Sequence, residues 1–169
     1  PNLAGITYMM FCSGDEKSPF YDLRVRQAVM YAVDWEAMAE GIYDGLGAST
    51  PVFAVPGAWS YDDTLSVYPY DMEKALSLLS EAGYPNGFST TISINEGNAA
   101  NLQCAIILQA YLEMVGIKAE IKSLTSADFN AQKAEGVYDL GIMVNNGSSK
   151  LDFTATSACT PPRVSTTRT

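Results

Sequence analysis

The sequence predicts an α/β fold: a mixed, mainly parallel sheet flanked by helices. Three observations carry that prediction. Apolar and polar residues alternate over 88–94 and 117–123, and an apolar run occupies 138–144; these are strand patterns. The stretches between them space their apolar residues as helices do and open on capping residues. The resulting order, β, α, β, α, β, is that of successive parallel strands joined by crossover helices.

Each element has its own reason. Residues 6–12, Ile-Thr-Tyr-Met-Met-Phe-Cys, are apolar and β-prone and predict a buried first strand, followed by a polar loop over 13–19. Asp22 is placed to cap a helix whose Val25, Ala28, Val29 and Ala32 fall on one face. Asp34 opens a second, short helix to Ile42, stopped by Gly45 and Gly47. Residues 48–70 hold Pro51, Pro56 and Pro69 with Trp59, Tyr61, Tyr68 and Tyr70, which predicts an ordered loop pinned by its rings. Asp71 caps a helix with Met72, Ala75, Leu76 and Leu79 as its stripe, ended by Gly83. A long helix follows over 99–115 and stops at Gly116. Thr125 and Asp128 have capping-box spacing ahead of a helix to Gly136. Residues 1–153 read as one α/β unit and residues 154–169, without periodicity, as an irregular tail.

Composition removes several function classes. The chain has 169 residues, 47% hydrophobic and 17% charged, which is globular, with no apolar run long enough to span a membrane. A net charge of −9 and the absence of any basic cluster beyond Arg24-Val25-Arg26 argue against nucleic acid. There is no histidine, which removes Ser-His-Asp and Cys-His catalysis and His-ligated metals. Cys12, Cys104 and Cys159 form no metal or redox spacing and read as small buried apolar residues. No phosphate loop, dinucleotide fingerprint or nucleophile elbow occurs. The chain opens at Pro1 without a basic-then-apolar leader, as expected of a mature product or an internal piece.

In a parallel sheet, ligands sit beyond the carboxyl ends of the strands. Here those ends lead into residues 95–98, 123–126 and 145–152. The candidate ligand-binding residues are Asn95, Glu96, Asn98, Asn145, Asn146, Gly147 and Asp152, which can hydrogen-bond a polar solute. The same residue types also serve as caps and turns, which is the plainer account of them. Asp152 is the one acid of 145–152 suited to a ligand amine, the plainer account being a solvated tail residue. Eleven acids against the single base Lys74 between Asp34 and Glu113 read as a solvated face rather than a cation site. The pairs Asp15-Glu16 and Asp62-Asp63 lack a supporting base, and Arg24 and Arg26 are expected in structural ion pairs. No catalytic residue, metal site or cofactor is assigned.

Four pieces of the chain, in order, resemble a known family. Pro19-Phe20-Tyr21-Asp22-Leu23-Arg24-Val25-Arg26-Gln27-Ala28 with Tyr31-Ala32-Val33-Asp34 is similar to the "PF-x-D-x-RVRQA…YAID" run of bacterial family 5 extracellular solute-binding proteins, the peptide- and nickel-binding receptors of ABC importers. Tyr68-Pro69-Tyr70-Asp71, Lys74-Ala75, Leu78-Leu79 and Glu81-Ala82-Gly83-Tyr84-Pro85-Asn86-Gly87-Phe88 resemble a second run, "YPYD-x-x-KA…LL-x-EAGYP-x-GF". Leu112 with Val115-Gly116-Ile117-Lys118-Ala119-Glu120, and Tyr138-Asp139-Leu140, resemble two further pieces in the same order. The similarity runs over residues 19–144. It departs at Phe11-Cys12, where the family often has Asn, at Val144-Asn145, where it commonly has Gly-Trp, and after Thr154.

The resemblance implies one lobe of a type II periplasmic-binding-protein-like fold, a fragment of the C-terminal lobe of a two-lobed receptor. It implies a non-enzymatic protein, periplasmic or extracellular and membrane-associated, that binds a peptide or similar polar solute and hands it to an ABC permease. Any contact with the membrane would run through that permease or a lipid anchor outside the fragment. Nickel is disfavoured by the missing histidines. The residues alone leave two alternatives: a carboxylate-based α/β enzyme domain and a structural interaction module.

Overall fold

A computed structural model describes residues 6–49 and 64–145. Within them the chain forms a four-stranded sheet in the order β1-β4-β2-β3. The strands are β1 (Ile6–Phe11), β2 (Ser89–Asn95), β3 (Lys118–Leu124) and β4 (Leu140–Asn145). The helices are α1 (Leu23–Ala32), α2 (Trp35–Ile42), α3 (Met72–Glu81), α4 (Ala99–Met114) and α5 (Ser126–Glu135), with a 3-10 turn at Pro19–Tyr21. The three strands expected to be parallel are so: β2 pairs with β3 and with β4 in parallel. β1 is antiparallel to β4, which makes the sheet mixed as anticipated.

The helix starts are where the caps place them. Asp22, Asp34, Asp71, Asn98 and Thr125 each accept a hydrogen bond from a backbone N–H in the first turn. The α1 face of Val25, Ala28, Val29 and Ala32 is wholly buried. The α3 stripe needs correction. Leu76 is exposed and Leu78 is buried: both 72/75/76/79 and 75/78/79 satisfy three-and-four spacing, and the helix turns the side holding Ala75, Leu78 and Leu79 to the core. Strand bounds shift by a residue or two. Phe88, Ile117 and Tyr138 precede their strands, and Asn95 and Asn145 end theirs rather than lying in loops.

Helices cover both faces of the sheet. Leu140 and Ile142 join the main core with α1, α3 and α4. Between them Gly141 turns to the other face, where a Cβ would meet Met10, Phe129 of α5 and Tyr138. β2 is therefore buried on both sides, and even Ser93 and Thr90 are inaccessible. Asp139 ties β2 to the approach of β4, its Oδ2 accepting from Thr91 N at 3.0 Å and Thr91 Oγ1 at 2.9 Å.

Tyr68 stacks edge-on against Tyr31 at 5.0 Å and Tyr70 against Tyr111 at 5.8 Å, so this end of the aromatic loop is pinned by its rings. Pro51, Pro56, Trp59, Tyr61, Asp62 and Asp63 lie outside the described residues, as do Cys159 and the tail. Cys12 and Cys104 are buried.

Candidate functional site: the carboxyl edge of the sheet

Parallel pairing brings the carboxyl ends of β2, β3 and β4 to one edge. Asn95 lies opposite Leu124, and Asn145 opposite Ile6 at the start of β1. Glu96 N donates to Leu124 O at 2.8 Å, so the turn leaving β2 is fastened to the end of β3. Gly97 takes the left-handed conformation (φ 79°) that redirects the chain into α4. Asn98 caps α4 through its side-chain oxygen, which accepts from Asn101 N at 3.0 Å. At the neighbouring helix, Thr125 Oγ1 accepts from Asp128 N at 3.2 Å and donates to Asp128 Oδ2 at 2.8 Å. Two helix N-termini and the end of the central strand thus share one edge, where the helix dipoles favour negative charge.

The structure brings Asn95, Glu96 and Asn98 together here, with the end of β4 at Asn145 on the same edge. Asn98 uses its Oδ1 in the cap of α4, and its side-chain NH2 is a separate donor group. Glu96 is exposed and Asn95 half-buried. Asn146, Gly147 and Asp152 lie outside the described residues.

Two residues at this edge were not singled out from the sequence. Ser126 Oγ donates to Asn95 Oδ1 at 3.1 Å, which orients the Asn95 amide. The signal for it was the adjacency of residues 123–126 to residues 95–98 across the sheet, which needs the strand order. Asn101 is 2% exposed and its Oδ1 is buried without a hydrogen-bond partner. A buried amide oxygen in that state costs about 1–3 kcal/mol. Nothing in local sequence distinguishes it from a solvent-facing helical Asn.

Electrostatics elsewhere are structural. Arg24 Nη2 pairs with Asp22 at 2.6 Å and Nη1 donates to Glu81 O at 2.7 Å, closing the end of α3. Arg26 Nη1 donates to Phe20 O and Tyr21 O at 2.6 and 2.9 Å. The hydrogen bond from Arg24 holds the Asp22 carboxyl below its ordinary range. The pairing therefore favours the folded state above the unfolded pKa and fades as pH falls through the depressed one. An NMR titration should show Asp22 protonating below ordinary aspartates, with Arg24→Ala returning it to them. An unchanged Asp22 titration in that variant would mean the pair does not form in solution.

Burial pushes the Cys104 thiol upward, the opposite of an activated nucleophile. Cys12 Sγ donates to Gly136 O at 3.0 Å. Among the described residues, no three His, Cys, Asp or Glu side chains gather into a cluster able to hold a metal ion. No described helix is long and apolar enough to cross a membrane.

The family model for bacterial extracellular solute-binding proteins, family 5, middle region, matches residues 2–162. The chain belongs to this family. The match reaches well beyond residues 19–144 at both ends, taking in β1 and residues past Thr154, where local motifs gave no likeness. Family 5 consists of solute-binding proteins that work in the periplasm or outside the cell.

Among curated family relatives, heme-binding protein A of Haemophilus influenzae is 38% identical over 148 residues, covering 85% of this chain and 27% of that protein. The dipeptide-binding protein of Escherichia coli is 31% identical over 151 residues, covering 85% and 28%. Among solved structures, the periplasmic binding protein DppA of Helicobacter pylori, in complex with the peptide STSA, superposes with a TM-score of 0.76 at 26% identity. That superposition covers 83% of this chain and 27% of DppA. The chain thus spans little more than a quarter of the length of the relatives it matches.

Proposed function

We propose that residues 1–153 form one lobe, part of the C-terminal lobe, of a two-lobed receptor that closes on a peptide or similar polar solute. The receptor delivers that solute to the permease of an ABC importer. It performs no chemistry on its cargo. It works in the periplasm or at the cell surface, tied to the membrane through the permease or a lipid anchor outside this chain.

The observation that carries the reading is the edge itself. Three parallel strands end beside two capped helix N-termini, with a buttressed amide at Asn95 and an exposed carboxylate at Glu96. Hydrogen-bonding groups of this kind recognise a polar solute, and the family to which the chain belongs is one of solute-binding proteins. The relatives named for dipeptide and heme, and DppA with its bound peptide, support solute capture and leave the solute class to experiment. Asn145, Asn146, Gly147 and Asp152, at the end of β4 and in the sequence after it, belong to the same proposal, with Asp152 as the acid suited to a ligand amine.

The test is native mass spectrometry of the full-length receptor, which should release a bound peptide or polar solute. Calorimetry with that solute should then show Asn95→Ala and Asp152→Asn each weakening binding several-fold, about 1–1.5 kcal/mol. Wild-type affinity in both folded variants would remove this edge from the binding site. Turnover of the solute would overturn the non-enzymatic reading.

A further inference from the structure

Asn95 ends β2 on the face of the sheet that α5 covers. Ile92 and Ile94 belong to the core shared with α1, α3 and α4, so Thr91, Ser93 and Asn95 take the other face. α5 opens there, and its first residue, Ser126, donates its hydroxyl proton to Asn95 Oδ1 at 3.1 Å.

A primary amide has an accepting end and a donating end, and a hydroxyl can serve either. The helix behind the hydroxyl decides between them. The first N–H groups of a helix point outward without a partner inside it, and they make its amino end positive. At α5 the Thr125 hydroxyl takes the N–H of Asp128 at 3.2 Å, and Ser126 stands at the same end. That potential favours an amide oxygen over an amide NH2. Ser126 and the start of α5 therefore hold Oδ1, and the Asn95 amide turns its NH2 away from α5.

We infer that Ser126 is a positioning residue for solute capture, on the reading of this edge as the solute site. It fixes Asn95 as a donor, so the solute group received at the end of β2 is an acceptor, a carbonyl oxygen such as that of a peptide bond. An ammonium group has no lone pair to offer the Asn95 NH2. A carboxylate would meet the exposed acid Glu96, the next residue, and like charges repel. A neutral carbonyl meets neither obstacle. Without the Ser126 hydroxyl the amide can turn over at little cost and present either end, so the edge would lose discrimination together with affinity.

The experiment uses the full-length receptor, freed of cargo, with a pool of tripeptides as the probe; the member retained most strongly is then titrated by calorimetry. Ser126 is exposed, so Ser126→Ala should keep the wild-type unfolding midpoint. It should weaken binding about three-fold, near the low end of what one hydrogen bond contributes. Ser126→Thr keeps a hydroxyl and should bind as wild type does. On the Asn95→Ala background Ser126→Ala should have no further effect, since it acts only through that amide. Asn95→Asp keeps an oxygen for Ser126 and turns an acceptor to the solute, so it should bind no better than Asn95→Ala. Wild-type affinity in Ser126→Ala, no rescue by Ser126→Thr, a further loss on the Asn95→Ala background, or tighter binding by Asn95→Asp than by Asn95→Ala would each overturn the inference. So would an Asn95→Ala receptor that loses stability and keeps its affinity, because the amide would then serve another part of the chain. A wild-type receptor that retains no tripeptide would end the peptide reading of the receptor itself, and the role of Ser126 with it.

Discussion

Gly87→Ala is expected to cost at least about 3 kcal/mol, enough to unfold much of a marginally stable chain. Gly87 sits at φ 71°, a conformation that costs an L-residue roughly 1–2 kcal/mol. The larger part comes from what lies beside it. A Cβ there would stand 2.0 Å from Gly116 O and 2.2 Å from its carbonyl carbon. These are backbone atoms, so no rotamer change relieves the clash. The two turns must separate, and they are the turns that launch β2 and β3, joined by Lys118 N donating to Phe88 O at 2.8 Å. Gly97→Ala is the control. Its φ of 79° is similar but nothing lies within 4 Å of a Cβ, so it should lose only the roughly 1–2 kcal/mol of the backbone term. Chemical denaturation followed by circular dichroism measures both. Equal losses in the two variants would show that the approach of Gly87 to Gly116 is not tight in solution.

That pair also shows where sequence reading stops. Each glycine was legible as a turn or a helix stop, because the need for positive φ is local. Their meeting was not, since it depends on β2 and β3 lying side by side. The same division runs through the molecule. The capping aspartates, Asn98 and Thr125 act within three residues and were readable. Leu76 was misassigned to the buried stripe because both it and Leu78 are leucine, and only packing against α1 decides between them. The strand order β1-β4-β2-β3 is non-local, so the link from Ser126 to Asn95 could not be read. Asn101 looked like any polar residue near a helix start, and its burial comes from the tertiary fold. The motifs that gave the family away prove structural: Arg24 closes α3, Arg26 holds the 3-10 turn, and Phe20 fills the core. They identify the scaffold while saying little about the solute.

Phe20→Ala is expected to cost about 3–5 kcal/mol while leaving solute contacts untouched. Phe20 is fully buried and, among the described residues, is the largest such side chain. Its ring lies 5.4 Å from Phe11 at the end of β1 and 5.6 Å, edge-on, from Phe88 before β2; Tyr84 adds a further contact to Phe88 at 5.0 Å. One ring therefore joins β1, the 3-10 turn and the approach to β2. The turn is fixed on both sides, by Ser18 Oγ accepting from Phe20 N and by Arg26 donating to Phe20 O, so the backbone cannot collapse into the cavity. Neighbouring Tyr21 is half exposed, and Tyr21→Ala should change stability by under about 0.5 kcal/mol. Phe11 faces Leu140, the first residue of β4, and Phe88 precedes Ser89, so this cluster sits at the amino ends of the parallel strands. The candidate site is at their carboxyl ends. In the full-length receptor, Phe20→Ala should therefore lower the unfolding midpoint strongly while the folded fraction binds its solute with wild-type affinity. A small stability loss would mean the aromatic cluster repacks. A matching loss of affinity in the folded fraction would place the solute at the amino end of the sheet and remove the carboxyl edge as the site.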